Sequence, residues 1–447
     1  MKKITLSILL LLLSTVLTFA QQPVVINGTV DKKTYPKVYL YKVLNGRLSE
    51  IATSTPDSSS LFAFKFTPKY KGLYAIGGTE IISLRNIFKF YFKPGDELNL
   101  KLQKANYTLE GNNSAENKKL TEWFKTSYTL LDKAVYWTTI SSYVDFFPEI
   151  EEMYAKLPAY KSSAKTGNAE FDKLFSKIVA FDFTYLAIGY LYTPRSTHPS
   201  QEEMSNYYTQ FKADDYLTAD LLKLPYGDRL LNYLVYKKID ISTKPSIQQQ
   251  VEAIPVDVVK GQYALSKLTS AVSFSEYEEM FKTFKPYFIL EDQKERAQAM
   301  AVKLVNTKEG TPALNFSFPD VNNRKVSLSD LKGKVVLIDV WATWCGPCKA
   351  EEPHWEKLVK NYKGKDVAFV GISVDQNKKA WDKYTSEKNL NGIQLYAGPG
   401  NDLSKAYQIN GIPRYLLIDK KGNLITPDSP RPADPKLKSL IDTWLSR

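Results

Sequence analysis

Apolar and polar positions change their period twice along the chain. From Gln21 to about Asn112 short apolar or alternating runs recur between turn signals: Val24 to Ile26, Val38 to Val43, Leu61 to Phe66, Leu73 to Ile76, Ile87 to Phe92 and Leu98 to Leu102. The breaks are Asn27-Gly28, Asn45-Gly46, Thr55-Pro56-Asp57, Gly77-Gly78 and Lys93-Pro94-Gly95-Asp96. A period of two with such punctuation predicts an antiparallel β domain, sandwich-like, over 21–112. Phe88, Phe90 and Phe92 alternate within it and are read as core. From Asn113 to about Val305 the period becomes helical. Leu120, Trp123, Phe124, Tyr128 and Leu131 share one helix face, as do Phe171, Leu174, Phe175, Ile178 and Val179, and Ala297, Met300, Ala301, Leu304 and Val305. Prolines 148, 158, 194, 225, 245 and 255 are expected to separate these helices. Residues 306–312 read as a linker.

Beyond the linker, strand and helix patterns alternate over 313–447. Leu314 to Phe318 is expected to pair with Lys325 to Leu328 across Asn322-Asn323. Val335 to Val340 is a continuous apolar run, as in the buried centre of a sheet. Cys345 to Tyr362 reads as helix, Val367 to Val374 as strand, Lys378 to Lys388 as helix and Ile393 to Tyr396 as strand. Asp402 to Tyr407 is a helix, Tyr415 to Ile418 and Leu424 to Thr426 form a hairpin, and Pro435 to Leu445 closes the chain as a helix. This alternation predicts an α/β sheet covered on both faces. The fold class is therefore multidomain: an N-terminal antiparallel β domain, a central α-helical region and a C-terminal α/β domain.

Composition changes this picture little. The 447 residues are 43% hydrophobic and 24% charged, ordinary for globular domains. The net charge of +12 is spread along the chain, with Lys usually beside Asp or Glu, which argues against a nucleic-acid partner. The first twenty residues read as a signal peptide. Lys2 and Lys3 form the positive region, Ile4 to Leu17 the apolar stretch and Thr18-Phe19-Ala20 the cleavage site. Export by a cleavable signal to the cell envelope follows as an expectation. No other stretch reads as long and apolar enough to span a bilayer.

Both cysteines of the chain, Cys345 and Cys348, fall in Trp341 to Cys348, WATWCGPC, between the apolar run and a helix. A loop so short makes a poor structural staple, so the pair is read as reactive. The N-terminus of a helix stabilises a thiolate at Cys345 through its unpaired N–H groups and partial positive charge. Cys345 is expected to be the exposed attacking thiolate and Cys348 the more buried resolving thiol. Attack on a substrate disulfide gives a mixed disulfide on Cys345, which Cys348 resolves. Pro347 sits in the first helical turn, where its missing N–H costs nothing. A zinc site is disfavoured, because a second Cys pair is absent and the only histidines are His198 and His354. No cofactor is expected beyond the Cys345–Cys348 disulfide. Alternation puts Val335, Leu337 and Asp339 on one face, where a carboxylate would be desolvated and could take the Cys348 proton. Glu351, three residues after Cys348 on the helix, is the second candidate acceptor. Gly411-Ile412-Pro413 precedes a strand. Pro413 can be cis there, placing the Ile412 backbone to pair with an extended substrate.

VVLIDVWATWCGPC, Val335 to Cys348, resembles the active-site stretch of thioredoxins. Val326 to Lys334, containing Leu328-Ser329-Asp330-Leu331-Lys332-Gly333-Lys334, is similar to the approach segment of TlpA-like envelope thioredoxins and of peroxiredoxins. The resemblance covers Thr311 to Arg447. It implies a thioredoxin fold, a buried acid at Asp339, the nucleophile at Cys345, the resolving thiol at Cys348 and a cis-proline at Pro413. TlpA-like members carry an acid where Glu351 stands and often have Asn where Asp339 stands, so this chain holds both acids. Trp344, Gly346, Pro347, Ile412 and Pro413 are the implied substrate-contacting residues. The N-terminal β region resembles, more weakly, a domain often fused to such thioredoxins in Gram-negative envelope proteins. The resemblance implies a periplasmic thiol–disulfide oxidoreductase whose partners are disulfide-bonded proteins and a membrane thiol-electron donor, with cytochrome c maturation one use. Gly346-Pro347 points to reduction. The alternatives are a thiol peroxidase, against which Ala342 stands three residues before Cys345 where peroxiredoxins place Thr, and an envelope binding or scaffold protein with an accessory redox domain.

Overall fold

The computed structural model describes residues 22–79 and 84–447. The reading of the first twenty residues as a signal peptide lies outside these. Two compact units divide between Pro245 and Ser246.

The first unit opens with eight strands: β1 (Val24–Val30), β2 (Val38–Leu44), β3 (Arg47–Ser54), β4 (Leu61–Phe66), β5 (Gly72–Gly77), β6 (Ile87–Phe92), β7 (Glu97–Gln103) and β8 (Asn106–Leu109). They form two four-stranded sheets, ordered β4-β1-β7-β8 and β3-β2-β5-β6. The alternation that predicted strands also supplies the core. Val24, Ile26, Leu98, Leu100 and Leu102 of one sheet share a buried cluster with Leu40, Ile76, Phe88, Phe90 and Phe92 of the other. The expected all-antiparallel pairing needs one correction: β1 and β7 run parallel. Of the five strands between them, β2, β3, β5 and β6 form the second sheet and β4 flanks β1, and β7 returns beside β1 in the same direction.

Helices α1 (Ala115–Thr126), α2 (Tyr128–Leu131), α3 (Tyr143–Lys161), α4 (Ala169–Leu191), α5 (Asn206–Gln210) and α6 (Gly227–Lys238) complete this unit, with a π-helical turn over Asp132–Tyr136. Pro148 and Pro158 were expected to break helices, but α3 runs through both. Each removes only one backbone donor, and a capping box at Ser142 and Asp145 secures the start of the helix. Asn117 of α1 acts as a strand partner, accepting from Tyr91 N at 2.8 Å and donating to Tyr91 O at 3.0 Å. Contrary to the sequence reading, α4 is long and apolar enough to cross a membrane, but most of it is buried inside this unit as a core helix.

The second unit begins with α7 (Ile247–Glu252), α8 (Asp257–Leu268), α9 (Phe274–Phe284) and α10 (Glu291–Leu304). The helical stretch expected as one region over 113–305 is thus shared between the units. Helical periodicity marks an apolar face but not what that face packs against. A small hairpin follows, β9 (Ser317–Pro319) with β10 (Lys325–Ser327). The five-stranded sheet comprises β11 (Val335–Trp341), β12 (Val367–Ser373), β13 (Ile393–Tyr396), β14 (Arg414–Ile418) and β15 (Leu424–Thr426), in the order β13-β12-β11-β14-β15. Central β11 is parallel to β12 and antiparallel to β14. Helices α11 (Gly346–Asn361), α12 (Lys378–Lys388), α13 (Asp402–Ala406) and α14 (Pro435–Leu445) surround it. Val335 and Leu337 pack with Trp355 and Leu358 of α11 and Leu437 and Ile441 of α14. Val336, Ile338 and Val340 pack with Leu403 and Tyr407 on the opposite face. That two-sided burial is why β11 reads as an unbroken apolar run.

Candidate active site

The site lies where β11 ends and α11 begins. Cys345 is the N-cap of α11, and Pro347 falls in its first turn. Cys345 and Cys348 form a disulfide, with Sγ atoms 2.00 Å and Cα atoms 5.3 Å apart. The Cys348 N–H points at Cys345 Sγ from 3.1 Å, so the sulfur sits against an N-terminal donor of the helix. Cys345 was expected to be exposed. In this disulfide form it is 4% exposed, and Cys348 is 3% exposed. The Cys345 sulfur turns inward to reach its partner, and both side chains join a buried cluster with Trp341, Ala342 and Trp381, against which Ile412 packs. Access is offered instead by the residues around the pair: Trp344 is 68% exposed, and Gly346 and Pro347 are exposed. The Ile412–Pro413 peptide bond is cis.

The two candidate acids lie in different surroundings. Asp339, opposite Gly371 on β12 and Tyr415 on β14, lines a small cavity together with Cys348, Glu352 and Gln394. Its Oδ1 is shut off from solvent and has no hydrogen-bond partner among the described residues. Burial pushes the Asp339 carboxyl well above the ordinary carboxylate range, and the negative charges of Glu351 and then Glu352 push it further. The Tyr415 hydroxyl is likewise buried without a partner among the described residues, and burial followed by the Asp339 charge pushes it up. Glu351 faces a separate groove lined by Gly411, Ile412 and Pro413, and accepts the Ala433 N–H at 3.0 Å. His354 is exposed on α11, which continues through Pro353.

Two neighbours of the cysteine pair escaped the sequence reading. Glu352, one residue beyond Glu351, is the helix acid that shares the cavity with Asp339 and Cys348, and the Tyr384 hydroxyl holds it at 2.6 Å. Helical spacing puts both acids near Cys348, so the sequence alone does not assign each to its cavity. Asp375, 2% exposed just beyond β12, anchors the loop before Cys345. It accepts the Thr343 N–H at 3.0 Å, the Thr343 hydroxyl at 2.6 Å and the Ser373 hydroxyl at 2.8 Å. A polar Ser-x-Asp closing an apolar strand was the available signal.

A sheet of this order, with a cysteine pair at the helix start and a cis-proline beside it, defines a thioredoxin-like dithiol domain. Residues 308–440 match the Redoxin family, so the chain carries a redoxin domain at its C-terminus. Over 117 residues it is 32% identical to the thiol-disulfide oxidoreductase ResA of Bacillus subtilis, covering 26% of this chain and 65% of that protein. A Bacillus cereus protein of the same name is 32% identical over 116 residues, covering 26% of this chain and 66% of its own length. The match thus spans just under two thirds of the length of these curated relatives. Among solved structures, the thioredoxin domain of a thiol-disulfide oxidoreductase from Bacteroides vulgatus is 27% identical, covering 31% of this chain and 98% of that one, with a TM-score of 0.29.

Proposed function

We propose that this protein is a periplasmic thiol–disulfide oxidoreductase that reduces disulfides in protein substrates through Cys345 and Cys348. The observation that carries the reading is the different surroundings of the two cysteines. Cys345 caps a helix N-terminus beside the exposed Trp344, whereas Cys348 faces the cavity that holds Asp339. In the reduced enzyme the Cys345 thiolate attacks a substrate disulfide. A Cys345–substrate bond forms, the substrate disulfide breaks, and one substrate thiolate leaves and takes up a proton. Cys348 then passes its proton to Asp339 and attacks Cys345 Sγ: the Cys345–Cys348 bond forms, the Cys345–substrate bond breaks, and the second substrate thiolate leaves and takes up a proton, so the enzyme dithiol is oxidised by two electrons and the substrate disulfide becomes two thiols. Asp339 suits this step because its burial makes it a stronger base than an ordinary carboxylate. Glu351, in the groove beside Ile412 and Pro413, is assigned to the substrate side rather than to this proton.

The thiol-disulfide oxidoreductase names of the relatives support the reaction class. Envelope localisation, re-reduction by a membrane thiol donor and use in cytochrome c maturation belong to the same proposal. Equilibration of the full chain against glutathione tests the direction. A potential near about −270 mV is expected, and one near about −120 mV, that of a strong oxidant, overturns the reductase reading.

A further inference from the structure

The first unit holds a cleft that the redox reading does not use. About 80 Å³ of it can be occupied by the centre of a water-sized sphere, several times what one water needs, so it has room for a small ring rather than for a large ligand. Its walls include Phe88, Phe124, Leu131, Val135, Tyr136 and Leu186. In this apolar setting sits a charged pair. Lys89 Nζ meets Asp182 Oδ2 at 2.5 Å, with the Asp182 side chain 8% exposed. Both Asp182 oxygens are engaged, because Trp123 Nε1 donates to Oδ2 at 2.7 Å and the Tyr226 hydroxyl donates to Oδ1. Lys89 is not saturated. Among the described residues it makes one hydrogen bond, to Asp182, leaving two N–H donors at the cleft. A second feature marks the same wall. Val135 and Tyr136 are presented by the π-helical turn Asp132–Tyr136, a backbone form that is rare and concentrated at functional sites.

We propose that this cleft is a binding site for a small, neutral, largely aromatic molecule whose carbonyl oxygen accepts a hydrogen bond from Lys89. The aromatic and aliphatic walls bury the ring, and Lys89 fixes its orientation. The ligand is neutral because Lys89 and Asp182 already cancel. A carboxylate would leave one buried negative charge in excess, beside Asp182.

Calorimetric titration of the full chain with acetophenone, ethylbenzene and benzoate tests this. Acetophenone is expected to bind one to one and roughly fivefold more tightly than ethylbenzene, the worth of one hydrogen bond, with benzoate weakest. Val135→Trp fills the cleft and is expected to abolish binding of acetophenone while the far-ultraviolet circular dichroism stays unchanged. Absence of binding up to about 1 mM, equal affinity for acetophenone and ethylbenzene, tightest binding of benzoate, or binding that survives in folded V135W overturns the proposal. If V135W does not fold, the three-ligand comparison on the unaltered chain still decides.

Discussion

Asp339→Asn removes an ionisable group from a position that disfavours its charged form. Among the described residues Asp339 Oδ1 is buried without a partner, and the nearby acids Glu351 and Glu352 add repulsion. Asn keeps the shape but does not titrate, so at neutral pH the second unit should gain about 1.4 kcal/mol for each pKa unit by which the folded Asp339 carboxyl lies above its unfolded value. For a unit of this size that is a rise in Tm of roughly 2–4 °C per kcal/mol. The sign follows from linkage. The unfolded carboxyl releases its proton near the ordinary value of 3.8, while the folded one holds it to higher pH. Above that value the folded state binds more protons, so stability falls with rising pH until the folded group ionises. Scanning calorimetry of the disulfide form from about pH 4 to about pH 8 should therefore show a downward slope in the unaltered chain that is shallower in D339N. Below about pH 4 the two should converge. The functional cost runs the other way. Without the base proposed at Asp339, resolution of the mixed disulfide by Cys348 should slow by about a hundredfold at neutral pH. A D339N chain that is less stable at neutral pH, with an unchanged slope, would refute the reasoning.

Three further outcomes are expected. Glu351→Gln and Glu352→Gln each remove a like charge from the surroundings of Asp339 and should shift the pH profile of Cys348 resolution towards acid, Glu351→Gln more than Glu352→Gln. Unshifted stopped-flow profiles would show that neither charge reaches Asp339. Asp375→Ala strands the Thr343 N–H and hydroxyl, at about 1–3 kcal/mol for each buried group left unpaired, and should lower the Tm of the second unit and slow thiol exchange at Cys345. Thr343→Val, which loses only the hydroxyl bond, should show a smaller drop in the same melts. A D375A melt that matches the unaltered chain would remove the anchoring role.

Much of the C-terminal unit was legible in the sequence because β11 is buried on both faces and the chemistry is local. An unbroken apolar run, two cysteines a helical turn apart and a Gly-Ile-Pro before a strand each carry their meaning within a few residues. The face shared by Val335, Leu337 and Asp339 followed from simple alternation. What escaped depends on pairing between distant segments. Asp375 reaches the loop before Cys345 only because β12 lies parallel to β11, with Ser373 opposite Trp341. The separation of Glu351 from Glu352 depends on which neighbour each side of α11 faces. The same limit explains the helical stretch. Helices on either side of Pro245 show similar amphipathic patterns, yet they belong to different compact units. In the β domain, the parallel pairing of β1 with β7 carries no signature in the alternation of either strand.

The central claim is that Cys345 attacks and Cys348 resolves. Reacting Cys348→Ala with a disulfide-bonded peptide and weighing the product tests it most directly. The account predicts a stable mixed disulfide of one peptide per chain, mapped to Cys345, and none of comparable yield on Cys348 in Cys345→Ala. Failure of C348A to form the adduct, or equally fast trapping on Cys348 in C345A, would contradict it.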